Sequence, residues 1–389
     1  MLYAANSACF YISGNLVLLI VIRYNDVEKN QTLGVIPMRD GKFGLQKIIL
    51  GILLVAAFSG CGSSRNVSSV AEGMQYIEAM DYNAAMTSFE TALQNGENPR
   101  LIARGMGIAS MGLTDYEAAA EYFLACLALS DGMVVEMDYD VNYYLAAAYQ
   151  KMEQYDESER VYDAILALRP GETDAYYLRG NARLSQGDYQ AARADFDKVI
   201  ELEPVNFNRL IQVYEVLAAA GYKQMGQEYL ETALSERSGK MSPYDRGRIY
   251  YYLANYEQAQ VLLEQAKNSG DANSYLYLGM AYEATGDYNY AITNVYTSYL
   301  NNGEGNAEIY NQLGLCYLKQ GDYASALEAF QNAMQMEENS MMQALRFNEI
   351  VAYEYLGEYT QAAVLLDNYL KTYPDDEEAR REYSFLSTR

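Results

Sequence analysis

The sequence predicts an all-α fold assembled from one helical hairpin repeated along the chain. Two observations carry this. A Gly-Asp-Tyr type of turn recurs, with its tyrosine at Tyr82, Tyr116, Tyr155, Tyr189, Tyr222, Tyr256, Tyr288, Tyr323 and Tyr359, in steps of 34, 39, 34, 33, 34, 32, 35 and 36 residues. Apolar residues on both sides of each turn fall three and four apart, the spacing of an amphipathic helix. Neither helix of such a unit buries its apolar face alone, so the units must stack.

The copy from Asn306 to Glu338 is the clearest. Tyr310, Leu313, Gly314 and Tyr317 mark a first helix, Gly321-Asp322-Tyr323 the turn, and Ala326, Phe330 and Ala333 a second helix. Three residues after each turn tyrosine stands a small side chain: Ala85, Ala119, Ser158, Ala192, Gly226, Ala259, Ala291, Ala326 and Ala362, with the fifth unit counted from Lys223. Four further on stands a large one: Phe89, Phe123, Tyr162, Phe196, Leu230, Leu263, Val295, Phe330 and Leu366. The small residue lets two helices approach and the large one fills the space between them. Pro99, Pro170, Pro204 and Pro374 follow second helices, where a residue unable to continue a helix belongs, and Pro243 begins a first helix.

This pattern resembles the tetratricopeptide repeat, and the resemblance covers residues 66–376. It implies a right-handed α-solenoid of about nine helix-turn-helix units. Repeat five departs from it with Tyr214 where other units mostly carry Gly or Ala, and repeat one lacks the turn glycine. Residues 377–389, with Ala379, Tyr383 and Leu386 on one face, read as a capping helix over the last unit.

Before the array, residues 1–37 fit nothing that follows and read as an upstream extension, with translation starting at Met38. Residues 38–60 have a basic start at Arg39, Lys42 and Lys47, an apolar stretch from Ile48 to Phe58, and small residues before Cys61. That arrangement resembles a lipoprotein signal peptide with its lipobox, although Phe58 stands where Leu is commoner. The resemblance implies a lipid on Cys61, a short linker over residues 61–65, and an array held close to a membrane surface. A lipoprotein of this kind sits on the outer face of the cytoplasmic membrane, or in the outer membrane of a Gram-negative cell. If Met1 is the true start, a cytoplasmic or otherwise anchored protein is the alternative.

Composition narrows the chemistry. Formal net charge is -24 and becomes -26 once residues 1–60 are removed, which disfavours an electrostatic hold on nucleic acid. The chain has no histidine, so no imidazole serves as general base or metal ligand. No phosphate loop or nucleophile elbow occurs, and neither catalytic residues nor a cofactor or metal site is expected. Asp131, Glu136, Asp138 and Asp140 lack the spacing of a calcium loop and read as a solvated acidic junction. Cys126 and Cys316, in different repeats, read as buried thiols.

In tetratricopeptide arrays the first helices line a concave groove. The resemblance carries that role, position by position, to Val70, Arg104, Tyr143, Tyr177, Ile211, Tyr244, Leu276, Asn311 and Phe347. One turn on come Met74, Ile108, Ala147, Asn181, Glu215, Arg248, Met280, Leu315 and Val351, with Asp140 and Asp174 among the nearby acids. Such a groove suits a protein or peptide with apolar anchors and basic residues. The Lys-Asn carboxylate clamp of some members is missing, since Arg104 is followed by Ile108 and Asn181 is preceded by Tyr177. Of the 40 tyrosines, many occupy the repeat's own packing positions, including Tyr149, Tyr282, Tyr310, Tyr317 and Tyr353, so tyrosine content alone does not mark a binding face. The leading expectation is a non-enzymatic envelope scaffold. A surface lipoprotein that binds a solute or glycan is the alternative, opposed by the shortage of long loops to close a pocket.

Overall fold

The computed structural model describes residues 68–302, 305–336 and 339–386, so Cys61, the signal-peptide reading and the upstream extension lie outside it. The described residues form helices joined by short turns, in nine hairpins and a final helix. The described residues divide into two compact units, 68–209 with Ala219–Gly221, and Leu210–Ala218 with 222–386. In the first, hairpins pair α1 (Ser69–Glu78) with α2 (Tyr82–Gln94), α3 (Pro99–Gly112) with α4 (Tyr116–Ala128), α5 (Glu136–Lys151) with α6 (Tyr155–Leu168), and α7 (Thr173–Ser185) with α8 (Tyr189–Leu202). Helix α9 (Phe207–Ala219) contributes to both units and is followed by α10 (Lys223–Arg237).

The second unit continues with α11 (Pro243–Tyr252), α12 (Tyr256–Ala266) and α13 (Ala272–Ala284). Helix α14 spans residues 288–302 and includes a π-helical stretch, Ala291–Tyr296. Then come α15 (Ala307–Gln320), α16 (Tyr323–Met334), α17 (Met342–Tyr355), α18 (Tyr359–Thr372) and α19 (Glu377–Leu386). Ala379 and Leu386 of α19 pack with Ile350, Ala362, Leu366 and Tyr369, so this helix covers the last hairpin as expected.

One turn geometry is used nine times. The residue two before each turn tyrosine, or before Lys223 in repeat five, has a left-handed backbone: Met80, Thr114, Glu153, Gly187, Gly221, Ala254, Gly286, Gly321 and Gly357. The next residue donates its N–H to the carbonyl five positions back, from Asp81 to Tyr76 at 2.8 Å and from Asp322 to Tyr317 at 3.0 Å, which closes the first helix as a Schellman motif. Where that residue is Asp or Asn, its side chain also caps the second helix, as Asp81 does toward Ala84 N and Asp322 toward Ser325 N. Repeat one is therefore not alone in lacking the glycine, because Thr114, Glu153 and Ala254 adopt the same backbone without it.

Between the helices of most hairpins the core is a small-to-large contact. A Cβ on Gly107 would meet Phe123 at 2.5 Å, and one on Gly314 would meet Phe330 at 2.5 Å. Repeat five keeps the contact with its members exchanged. Tyr214 lies on the first helix, and a Cβ on Gly226 would meet its ring at 2.9 Å and its backbone at 3.2 Å. In α14 the large residue is Tyr296, packed over Gly279, where counting from the turn predicts Val295. The extra residue is absorbed by the π-helical stretch, which rotates the helix so that the eighth residue after Tyr288 faces α13.

Candidate functional site

The first helix of each hairpin carries the residues predicted to meet a partner. Most of them are half-buried: Val70, Met74, Arg104, Ile108, Tyr143, Ala147, Tyr177 and Asn181 in the first unit, and Tyr244, Leu276, Met280, Leu315, Phe347 and Val351 in the second. Ile211, Arg248 and Asn311 are buried, and Glu215 is exposed. Asn311 accepts a 2.9 Å hydrogen bond from Asn348. Large apolar side chains that stay partly open at two positions one helical turn apart form a stripe on each unit.

In the first unit the stripe is crossed by ion pairs between successive first helices. Arg104 on α3 reaches Asp140 on α5 with Nε at 2.7 Å and Nη2 at 2.6 Å. Asp174 on α7 pairs with Arg209 on α9, whose guanidinium lies 4.8 Å from the centre of the Tyr177 ring. Both carboxylates stay open to solvent, with 40% of the Asp140 and 56% of the Asp174 side chain exposed, so each retains room for a second cation. Tyr143 rests against Tyr162 at 6.2 Å and Tyr177 against Phe196 at 6.1 Å. The hydroxyl of Tyr143 and the amide oxygen of Asn181 are shielded from solvent and have no hydrogen-bond partner among the described residues. Burial, followed by the charges of Glu172 and Asp174, pushes the Tyr143 phenol well above the ordinary tyrosine range, so it stays protonated and able to donate.

Behind this face, α6, α7 and α8 are tied by a charge network. Buried Asp195 accepts from Arg179 at 2.5 and 3.0 Å and from Arg183 at 2.8 Å, while Arg179 also holds Asp163 at 2.5 Å and Arg183 holds Glu159 at 2.6 Å. This network fixes the helix that presents Tyr177 and Asn181.

In the second unit Tyr244 and Arg248 come together, with the guanidinium 4.3 Å over the ring and bonded to Asp245 at 2.9 Å. Burial pushes the Tyr244 phenol up to about 12. Phe347 meets Tyr369 at 5.8 Å. Around Tyr244 lie aromatic residues that the sequence reading did not assign to the site. Tyr252 touches Tyr214 at 5.2 Å, Tyr251 at 5.5 Å and Tyr277 at 6.1 Å, and Tyr277 touches Tyr244 at 6.1 Å. Arg209 was also missed. A signal existed for it: Glu136–Tyr139, Asp140–Tyr143 and Asp174–Tyr177 each set an acid three residues before a tyrosine on a first helix.

Among the described residues no group of three or more Cys, Asp or Glu side chains is placed to hold a metal, and no helix is long and apolar enough to cross a membrane. Cys126 and Cys316 are buried free thiols. Burial pushes Cys126 up to about 11, which leaves it unreactive.

Three family models described as tetratricopeptide repeat match the chain, over residues 143–206, 307–340 and 345–376. Human RNA polymerase II-associated protein 3 is 27% identical over 145 residues, covering 34% of this chain and 22% of its own length. A TPR repeat-containing protein of Methanocaldococcus jannaschii is 23% identical over 241 residues, covering 59% of this chain and 41% of its own. The chain thus spans less than half the length of either relative. Yeast Tom70 has a solved structure that matches with a TM-score of 0.47 at 14% identity, covering 82% of this chain and 87% of that one.

Proposed function

We propose that this chain, built of tetratricopeptide repeats, is a non-enzymatic scaffold that holds a segment of a partner protein against its first helices and is itself tethered to the cell envelope through a lipid on Cys61. The observation that carries the binding face is the register stripe. Val70, Met74, Ile108, Tyr143 and Tyr177 in one unit, and Leu276, Met280, Leu315, Phe347 and Val351 in the other, stay half-open at equivalent positions. Side chains needed only for packing have no reason to remain accessible at these two positions in most of the repeats, although Ile211, Arg248 and Asn311 are buried there. Removing that surface from water on binding gains about 25 cal/mol per Å².

Two further features support a peptide as the occupant. The unpartnered Tyr143 hydroxyl can donate to a carbonyl, and the unpartnered Asn181 amide oxygen can accept an N–H, so a small side-chain rotation offers each a peptide backbone. A buried polar atom without a partner costs about 1–3 kcal/mol, which such a ligand would recover. Asp140 and Asp174 add a preference for basic residues, shared with Arg104 and Arg209.

The test uses tagged chain incubated with detergent-solubilised membranes. Tyr177→Ala with Leu315→Ala should lower the captured partner at least tenfold while circular dichroism stays unchanged, and undiminished capture overturns the face. Metabolic labelling with a tagged fatty acid tests the tether separately. Label in the wild type that disappears in Cys61→Ala supports it, and label in neither makes a cytoplasmic or differently anchored scaffold the better account.

A further inference from the structure

Three times this molecule builds the same small device, an arginine laid on a tyrosine ring and held there by a carboxylate of the same first helix; a fourth arginine, Arg179, lies 5.4 Å from Tyr176 with its acids, Asp163 and Asp195, on the neighbouring helices. Arg169 lies 3.5 Å from the centre of Tyr139 and pairs with Glu136. Arg209 lies 4.8 Å from Tyr177 and pairs with Asp174. Arg248 lies 4.3 Å from Tyr244 and pairs with Asp245. In each case the ring face attracts the cation and the acid fixes the plane of the guanidinium.

Another ring and acid stand ready in the second unit. The hydroxyl of Tyr252 on α11 donates to Glu215 on α9 at 2.5 Å, and the hydroxyls of Tyr252 and Tyr277 lie 3.1 Å apart. Because Tyr252 gives its proton to Glu215, Tyr277 is the donor in that second contact, so two phenols in series orient one carboxylate. Tyr214 completes the frame by donating to the Tyr252 carbonyl at 3.1 Å. Glu215 is exposed, Tyr252 and Tyr277 are half-buried, and half-buried Met280 follows Tyr277 by three residues on the same helix. Among the described residues no lysine or arginine pairs with Glu215 or lies over Tyr252. Arg248, which lies 5.7 Å from the centre of the Tyr277 ring, is nine-tenths buried and engaged by Asp245. With 28 lysines and arginines against 52 acids, the chain has fewer cations than places for them.

We propose that the Tyr252–Tyr277–Glu215 frame receives an arginine side chain of the partner protein, completing in trans the device that Arg169, Arg209 and Arg248 complete within the chain. Arginine is specified over lysine because a planar guanidinium can lie on the Tyr252 ring while its edge meets Glu215, whereas an ammonium makes only a point contact. The difference from the three internal cases is that ring and acid come from neighbouring helices, so the guest bridges α9 and α11. This inference rests on the reading of the first-helix face as the binding face and names one anchor on it.

The test is a titration of the folded protein, ring-labelled at tyrosine, with N-acetyl-arginine amide, followed by the ring resonance that Tyr252→Phe removes. The neutral isostere N-acetyl-citrulline amide is the control. Arginine amide should shift that resonance at concentrations at least tenfold below citrulline amide, and Glu215→Gln should weaken the response at least fivefold. Glu215 is exposed, so its replacement leaves the fold in place, as circular dichroism will confirm. Equal responses to both amides, or a response untouched by Glu215→Gln, overturn the inference. The outcome is separable from the broader reading. A missing arginine response alongside intact capture through Tyr177 and Leu315 removes this anchor alone, whereas a retained response with capture unaffected by Tyr177→Ala and Leu315→Ala removes the stripe alone.

Discussion

Two hairpins of the second unit fill the same space in different ways. In residues 307–334 the seventh residue after the turn tyrosine, Phe330, lies on Gly314, and the contact is wholly apolar. In residues 272–302 the helix takes one extra residue, bulges over Ala291–Tyr296, and delivers Tyr296 onto Gly279 instead. The phenol then reaches through the glycine gap to bond Glu283 on the first helix. What the added residue brings is a polar group inside a hairpin core, together with a carboxyl that burial holds above its ordinary range. Small-to-large packing is the constraint that both hairpins obey, and the count of residues from turn to core is free to vary.

The largest expected effect breaks the contact itself. Phe330 is fully buried, and Phe330→Ala should cost about 3–5 kcal/mol, read as lost amide protection across residues 307–334. Register gives a sharper version. Deleting exposed Glu328 would swing Phe330 away from Gly314 and should cost nearly as much. Deleting exposed Asn294 would shorten the bulged helix to the usual count and leave Tyr296 on Gly279, at a cost of about 1 kcal/mol or less. Equal losses from the two deletions would show that the bulge, and not the slot, carries the stability.

A smaller effect separates the polar core from the apolar one. Tyr296→Phe keeps the ring and removes the bond to Glu283, which should cost about 1–3 kcal/mol. Its pH dependence has a definite sign. Burial raises the Glu283 pKa above its ordinary value of 4.5, so the folded chain keeps this proton when the unfolded chain has released it. Stability from this group is greatest below 4.5 and falls as pH rises through the folded value. Tyr296 opposes the shift, so its removal steepens the fall, and Tyr296→Phe should lose more at pH 8 than at pH 5. A loss equal at both values would mean that Glu283 is not charged beside Tyr296.

How much of this was legible in the sequence depends on whether a residue acts through its spacing or through what spacing brings near it. The second helices start at the turn tyrosines because the turn, its cap and the helix are local, and local chemistry repeats visibly. Tyr214 looked like a defect in repeat five, since its compensation, Gly226, is recognisable only once the two helices face each other. The bulge left a trace in the 35-residue step, but a step length does not say where the extra residue goes. On the proposed binding face, Tyr143, Tyr177 and Tyr244 follow from register, whereas Arg209 over Tyr177 and Tyr252 beside Glu215 join residues 32 and 37 positions apart. Such pairs depend on how one hairpin lies on the next, and no local pattern encodes that.

The smallest expected effect lies in the turns, where the same backbone is built with and without glycine. Ala254 holds a φ of 58° and Gly321 a φ of 80°, and both precede a capping residue that closes the Schellman bond, from Asn255 to Tyr250 at 2.9 Å and from Asp322 to Tyr317 at 3.0 Å. The hydrogen bonds are therefore equal, and the difference is the steric cost of a Cβ in the left-handed region, set against the greater freedom that glycine returns to the unfolded chain. The steric cost is the larger, so Ala254→Gly should gain about 0.5–1 kcal/mol and Gly321→Ala should lose about as much. Chemical denaturation monitored by tyrosine fluorescence checks both. If Ala254→Gly is neutral or destabilising, the alanine turn is not strained in its hairpin, and the four turns without glycine are equivalent to the five that have it.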